Sequence, residues 1–137
     1  MGWGILISVI IITGYAIKRL LTTAWEGQVF SLRNFLLLTV TYAVLLTGFA
    51  TVFTILTFEG VHVMVAEEAP QSFWSLFSTS IYFSAMMLFS VGNGEIVPVG
   101  WGRWISILAT YLGHALPVTV VWTLMFNRNG KNSKDIF

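Results

Sequence analysis

From Asn34 to Phe58 the chain runs 25 residues without a charged side chain. A helix crossing the hydrocarbon core of a bilayer needs roughly 17 to 25 residues, so this run is long enough to span. Trp104 to Phe126 offers a second run of 23 residues, interrupted only by His114 and Pro117. A third, residues 1–17, is uncharged and ends at Lys18-Arg19, and Leu20-Leu21 and Trp25 can carry it into the interface. With 56% hydrophobic and 9% charged residues and a mean hydropathy of +0.81 over 137 residues, the solvent for this chain is lipid. Cysteine is absent, which excludes a disulfide framework, a thiolate metal site and a cysteine nucleophile. No basic footprint for nucleic acid is present.

A secretory leader carries positive charge before its apolar run, whereas here the basic pair follows it. The expectation is therefore a retained first helix with its N-terminus outside; an interfacial helix and a cleaved leader are the alternatives. Charge orients the rest. Lys18, Arg19, Arg33, Arg128, Lys131 and Lys134 fall on one side, six of the seven basic residues, and Arg103 alone on the other. Retention of Lys and Arg in the cytoplasm places the C-terminus inside and the segment holding Glu59, Glu67, Glu68 and Glu95 outside.

Between the second and third spans, Pro70 suits a first helical position, and Ser72 to Phe89 is too apolar and aromatic for a solvated outer loop. A re-entrant helix that returns as extended chain accounts for it. The chain then reads Ser90-Val91-Gly92-Asn93-Gly94-Glu95. Glycine adopts positive φ readily and Asn tolerates it, so this backbone can turn successive carbonyls toward one axis. Bare backbone at membrane depth is tolerated only inside protein or along a water-filled path. An ion conduit follows.

The residues from Ile81 to Pro98 resemble the pore helix and filter of the potassium-channel superfamily, whose pattern is LYFSxxTxTTVGYGDxxP. Tyr82, Phe83, Ser84, Val91, Gly92, Gly94 and Pro98 agree with it, while Ser90 stands where Thr is usual and Glu95 where Asp is usual. Trp101-Gly102-Arg103 and Gly113 sit where such channels start the inner helix and place a hinge glycine. The resemblance covers about residues 34–126 and implies an all-α membrane protein. Its parts are an outer helix (34–58), turret and pore helix (59–89), filter (90–95) and inner helix (101–126). Residues 1–33 add an N-terminal transmembrane helix and cytoplasmic linker, and 127–137 a cytoplasmic tail. It further implies a homotetramer in the cell membrane, with K⁺ or Na⁺ held at Ser90, Val91 and Gly92 and further filter positions at Asn93 and Gly94. Carbonyl oxygens would replace the hydration shell of the ion. No cofactor, catalytic residue, nucleic acid or soluble partner is implied.

The departures point toward weak selectivity. Asn93 replaces the aromatic residue that packs the family's outer filter, and Met86, Met87 and Phe89 replace positions often polar behind it. The expectation is a channel passing both K⁺ and Na⁺. A K⁺-selective channel, and a non-conducting membrane subunit with a degenerate pore loop, are the alternatives. Glu95 reads either as an outer ring that concentrates cations or as a carboxylate tied to a nearby backbone N–H or to Arg103. His114 reads as a proton sensor on the pore surface or as a neutral histidine bonded within the bundle. Gly113 and Pro117 predict a bend, either static or gating; Met125-Phe126 could narrow the inner mouth or face lipid. Glu67 and Glu68 read as solvated turret residues, and Thr39, Thr41, Thr47 and Thr51 as helix-packing contacts. The glycines at 92, 94, 100 and 102 lack the lysine and βαβ setting of a nucleotide loop, and His62 has no nucleophile or metal partner in sequence. No span carries an arginine ladder.

Overall fold

The structure, a computed structural model, describes residues 2–25, 32–66, 72–92 and 94–132, with side chains described within 2–22, 35–66, 72–92 and 94–122. The elements are α1 (Gly2–Trp25), α2 (Leu32–Phe58), β1 (Met64–Ala66), α3 (Phe73–Leu88), β2 (Ile96–Pro98) and α4 (Trp101–Asn132). α1, α2 and α4 are each long and apolar enough to cross a membrane, whereas α3 is a shorter apolar helix.

α1 runs antiparallel to α2. Gly48 sits against Val9 and Thr13, and Gly2 against Ile55 and Glu59 at the far end of α2. Five of the six threonines of α2 bond within their own helix, and the sixth, Thr57, has a buried hydroxyl with no partner among the described residues. Thr39, Thr41, Thr47, Thr51 and Thr54 each donate to the carbonyl four residues back, at 2.7–3.0 Å. A hydroxyl closed on its own helix has no unmet donor in lipid, and Thr47 and Thr51 still line the contact with α1 beside Val9, Ile12 and Thr13.

α2 ends at Gly60 (φ 82°). The Val61 N–H reaches Leu56 O and the Gly60 N–H reaches Thr57 O, the paired bonds of a Schellman stop. The chain after it is not a plain loop. β1 pairs antiparallel with β2 in the register Met64↔Pro98, Val65↔Val97, Ala66↔Ile96. The chain that follows α2 and the chain that follows α3 are thus clasped together. Sequence reading missed this two-stranded clasp because each strand is three residues long, too short for alternation to register.

The core lies where α2, α3 and α4 meet. Phe53 and Phe83 are fully buried and pack edge to face at 5.0 Å, an arrangement that adds about 0.5–1.5 kcal/mol beyond area burial. Leu45, Phe49, Leu88, Val63, Ile96, Ala109, Leu116 and Val120 complete it, and Leu20 of α1 joins the same cluster. Outside this core the helices present apolar side chains such as Trp3, Ile10, Trp104 and Tyr111, the surface expected of a protein dissolved in lipid.

Candidate functional site: the end of α3

α3 begins at Ser72, whose backbone is extended (φ −143°, ψ 162°) and whose side chain accepts from the Ser75 N–H at 3.2 Å. This N-cap supplies an acceptor for one of the orphan N–H donors at the helix start. Leu76, Ser80, Phe83, Ser84 and Leu88 form its buried face, a spacing of three and four residues that lays them along one stripe. Pro70, Glu67 and Glu68 lie outside the described residues.

The helix stops in the same way as α2. Val91 N–H reaches Met86 O and Ser90 N–H reaches Met87 O, both at 3.1 Å. The left-handed position, held by glycine in α2, is here Ser90, with φ 54°. A non-glycine residue there costs about 1–2 kcal/mol, and a β-branched one is a genuine outlier. That gives a physical account of serine where the resembling family has threonine. Gly92 follows with φ 76°, a region glycine enters freely. Ser90, Val91, Gly92, Gly94 and Glu95 are all exposed in the single chain. Asn93 lies outside the described residues.

α4 supports this segment from behind. Gly113 is packed so closely on the end of α3 that a Cβ there would overlap the Leu88 carbonyl oxygen. Gly113 is therefore a close-approach glycine, whatever bending it also allows. Pro117 has no N–H, which leaves the carbonyl four residues earlier, that of Gly113, without its helical donor. The Tyr42 hydroxyl of α2 donates to that carbonyl, and the Tyr42 ring stacks on Phe89 at 5.8 Å and 6°. Tyr42 was not among the residues singled out from the sequence. The available signals were a phenol in an otherwise apolar span, which needs a partner when buried, and the acceptor that Pro117 frees.

His114, the next residue, is exposed, and its Nδ1 lies 2.9 Å from Ser90 Oγ. The structure thus brings together Ser90, Gly113 and His114, with Pro117 one turn on. Glu95 is separate, near the clasp. At the start of α4, Gly102 sits against the Val63 carbonyl with no room for a Cβ, and Arg103 Nε donates to Pro98 O at 3.4 Å. The side chains of Met125 and Phe126 lie outside the described residues. Among the described residues no three His, Cys, Asp or Glu side chains gather as a metal site.

A family model described as ion channel matches residues 40–125. The chain is 35% identical to Protein LctB of Geobacillus stearothermophilus over 114 residues, 78% of this chain and 85% of that one. It is 33% identical to Protein LctB of Bacillus caldotenax, with the same coverage. No solved structure matches.

Proposed function

The chain belongs to the ion channel family of two-transmembrane, pore-loop potassium-channel proteins, and from that premise we propose that four copies enclose a filter for K⁺ and Na⁺. It is an integral membrane protein and a channel, not an enzyme. The observation that carries the finer reading is the exposed run Ser90-Val91-Gly92 at the end of a short helix wedged between two spanning helices. One such run cannot surround an ion; several around a shared axis can replace its hydration shell with carbonyl oxygens.

In this reading residues 34–58 are the outer helix, 59–89 the turret and pore helix, 90–95 the filter and 101–126 the inner helix, with 1–33 an added span and linker and 127–137 the tail. Ser90, Val91 and Gly92 hold the permeant ions, Asn93 and Gly94 form the outer sites, and Glu95 stands at the outer mouth. The protein sits in the cell membrane with its N-terminus outside and C-terminus inside, as the basic residues direct. Weak discrimination between K⁺ and Na⁺ follows from Asn93, which lacks the area of an aromatic ring to brace the outer carbonyls. Gly113 and Pro117 set a bend in the inner helix, either static or one that opens its inner end.

Reconstitution in liposomes tests this. The expected result is flux of both cations, a bi-ionic K⁺/Na⁺ reversal potential near zero, and loss of flux in Gly92→Val, whose side chain is strained at φ 76°. A reversal potential at the K⁺ equilibrium value would replace weak selectivity with a K⁺-selective channel. No flux of either ion would favour a non-conducting subunit.

A further inference from the structure

We propose that the groove between α1 and α2 holds one acyl chain of an anionic phospholipid of the cytoplasmic leaflet, whose phosphate pairs with Arg19. This rests on the orientation proposed above and is independent of conduction. The groove is a cavity of about 170 Å³, open on one side and walled by Val9, Ile12 and Thr13 of α1 and Val44, Thr47 and Thr51 of α2. Its α1 wall precedes residues 40–125, the stretch matched by the ion channel model.

Size and chemistry select the occupant. A helix with its side chains is about 10 Å across and does not enter a cleft of this volume. A dry apolar cavity of about 150 Å³ takes benzene, so about six carbons of a chain fit here. Gly48 also lines the groove, and its missing side chain is what lets Val9 and Thr13 come up to α2. The Thr47 and Thr51 hydroxyls donate to the carbonyls of Ala43 and Thr47. Neither therefore needs a partner from the occupant, and the walls suit hydrocarbon.

The register along α1 supplies the charge. Arg19 follows Ile12 by two turns, about 20° round the helix and about 10.5 Å nearer its C-terminal end. It therefore continues the face that walls the groove, and it is exposed. Ala16 between them is small and half-buried. On α2, Val40 precedes Thr47 by the same two turns and is also exposed. A phosphate held by the Arg19 guanidinium, whose paired N–H groups match it, thus leads its chain along this track into the groove. The path is within the about 15 Å that half the hydrocarbon core spans. Lys18 is exposed too, but points about 120° away from Ile12. A second copy of the chain is the poorer occupant: α1, α2, α3 and α4 contain no Asp or Glu, so its helices bring no counter-charge to Arg19.

The test places the full chain in vesicles of phosphatidylglycerol and phosphatidylcholine in equal parts and reads the lipid retained on extraction by native mass spectrometry. Phosphatidylglycerol should be retained over phosphatidylcholine about fivefold, the worth of one basic residue at an anionic surface. Arg19→Gln should abolish the preference and Lys18→Gln should keep it. In a second arm the phosphatidylglycerol carries a photoreactive group midway along its chain. Labelling should fall on the peptides holding Ile12 and Thr13 and holding Thr47 and Thr51, and Thr47→Phe, which fills the groove, should remove it. Should Thr47→Phe misassemble, the wild-type labelling pattern decides alone. Equal loss in Arg19→Gln and Lys18→Gln would reduce the site to a diffuse basic surface and overturn the inference. So would labelling spread evenly round α1. A groove left unlabelled in the wild type would assign it to a second copy, with the same result. Conduction stands or falls separately, on the flux assay.

Discussion

The Tyr42 hydroxyl donates to the Gly113 carbonyl, the acceptor that Pro117 strips of its helical partner. The carbonyl that proline frees in one spanning helix is therefore satisfied by a side chain from another, as unpaired backbone in lipid requires. Because the same ring lies flat on Phe89, α2 touches both the proline turn of α4 and the residue that caps the end of α3.

A double-mutant cycle follows from this. Tyr42→Phe keeps the ring stack and removes the donor, and should destabilise the folded protein by about 0.5–1.5 kcal/mol. Pro117→Ala restores the missing N–H, so in its background the same change should have close to no effect. Thermal unfolding in detergent reads the coupling; equal losses in both backgrounds would refute the donor role.

Glycine-to-alanine substitutions should divide by position. Gly113→Ala and Gly102→Ala drive a Cβ onto the carbonyls of Leu88 and Val63, and each should cost about 1–3 kcal/mol. Gly4→Ala and Gly14→Ala meet nothing within 4 Å and should be neutral or stabilising by up to about 1 kcal/mol. Melting temperatures of the four variants check the division, and a uniform response would contradict it.

At Ser90 the left-handed backbone sets the order. Ser90→Thr, the residue usual in the family, should lower stability by about 1–2 kcal/mol because branching at Cβ crowds positive φ. Ser90→Gly should not. Finding the threonine variant the more stable of the two would mean that φ at this position is negative in the assembled protein.

The clasp between β1 and β2 predicts a crosslink. Val65 and Val97 are direct partners, and opposed residues in an antiparallel pair place their Cβ atoms about 4.5–5.5 Å apart. With no native cysteine to compete, Val65→Cys combined with Val97→Cys should oxidise to a disulfide, seen as altered mobility on a non-reducing gel. Val65→Cys with Pro98→Cys, one step out of register, should crosslink less.

The spans were legible because an uncharged run has few ways to fold in lipid. The prediction of 34–58 meets an observed Leu32–Phe58, and the apolar stretch from Ser72 to Phe89 meets Phe73–Leu88. α4 continues to Asn132, beyond the 126 expected from the apolar run, since a helix keeps its backbone hydrogen bonds where its sequence turns polar. Contacts between distant residues were not legible. Gly113 reads as a hinge in sequence, and only its approach to Leu88 shows the packing need. Ser90 and His114 were each singled out, but 24 residues separate them and nothing local announces that they touch. Tyr42 carries no motif at all.

Leu20 shares a buried cluster with Leu116 and Val120, although the helix that supplies it precedes the stretch matched by the family model. The first span is thus not a detachable front end. Trimming the chain to a minimal pair of crossings would leave a greasy socket on the lower half of the third crossing, open to whatever hydrocarbon drifts in.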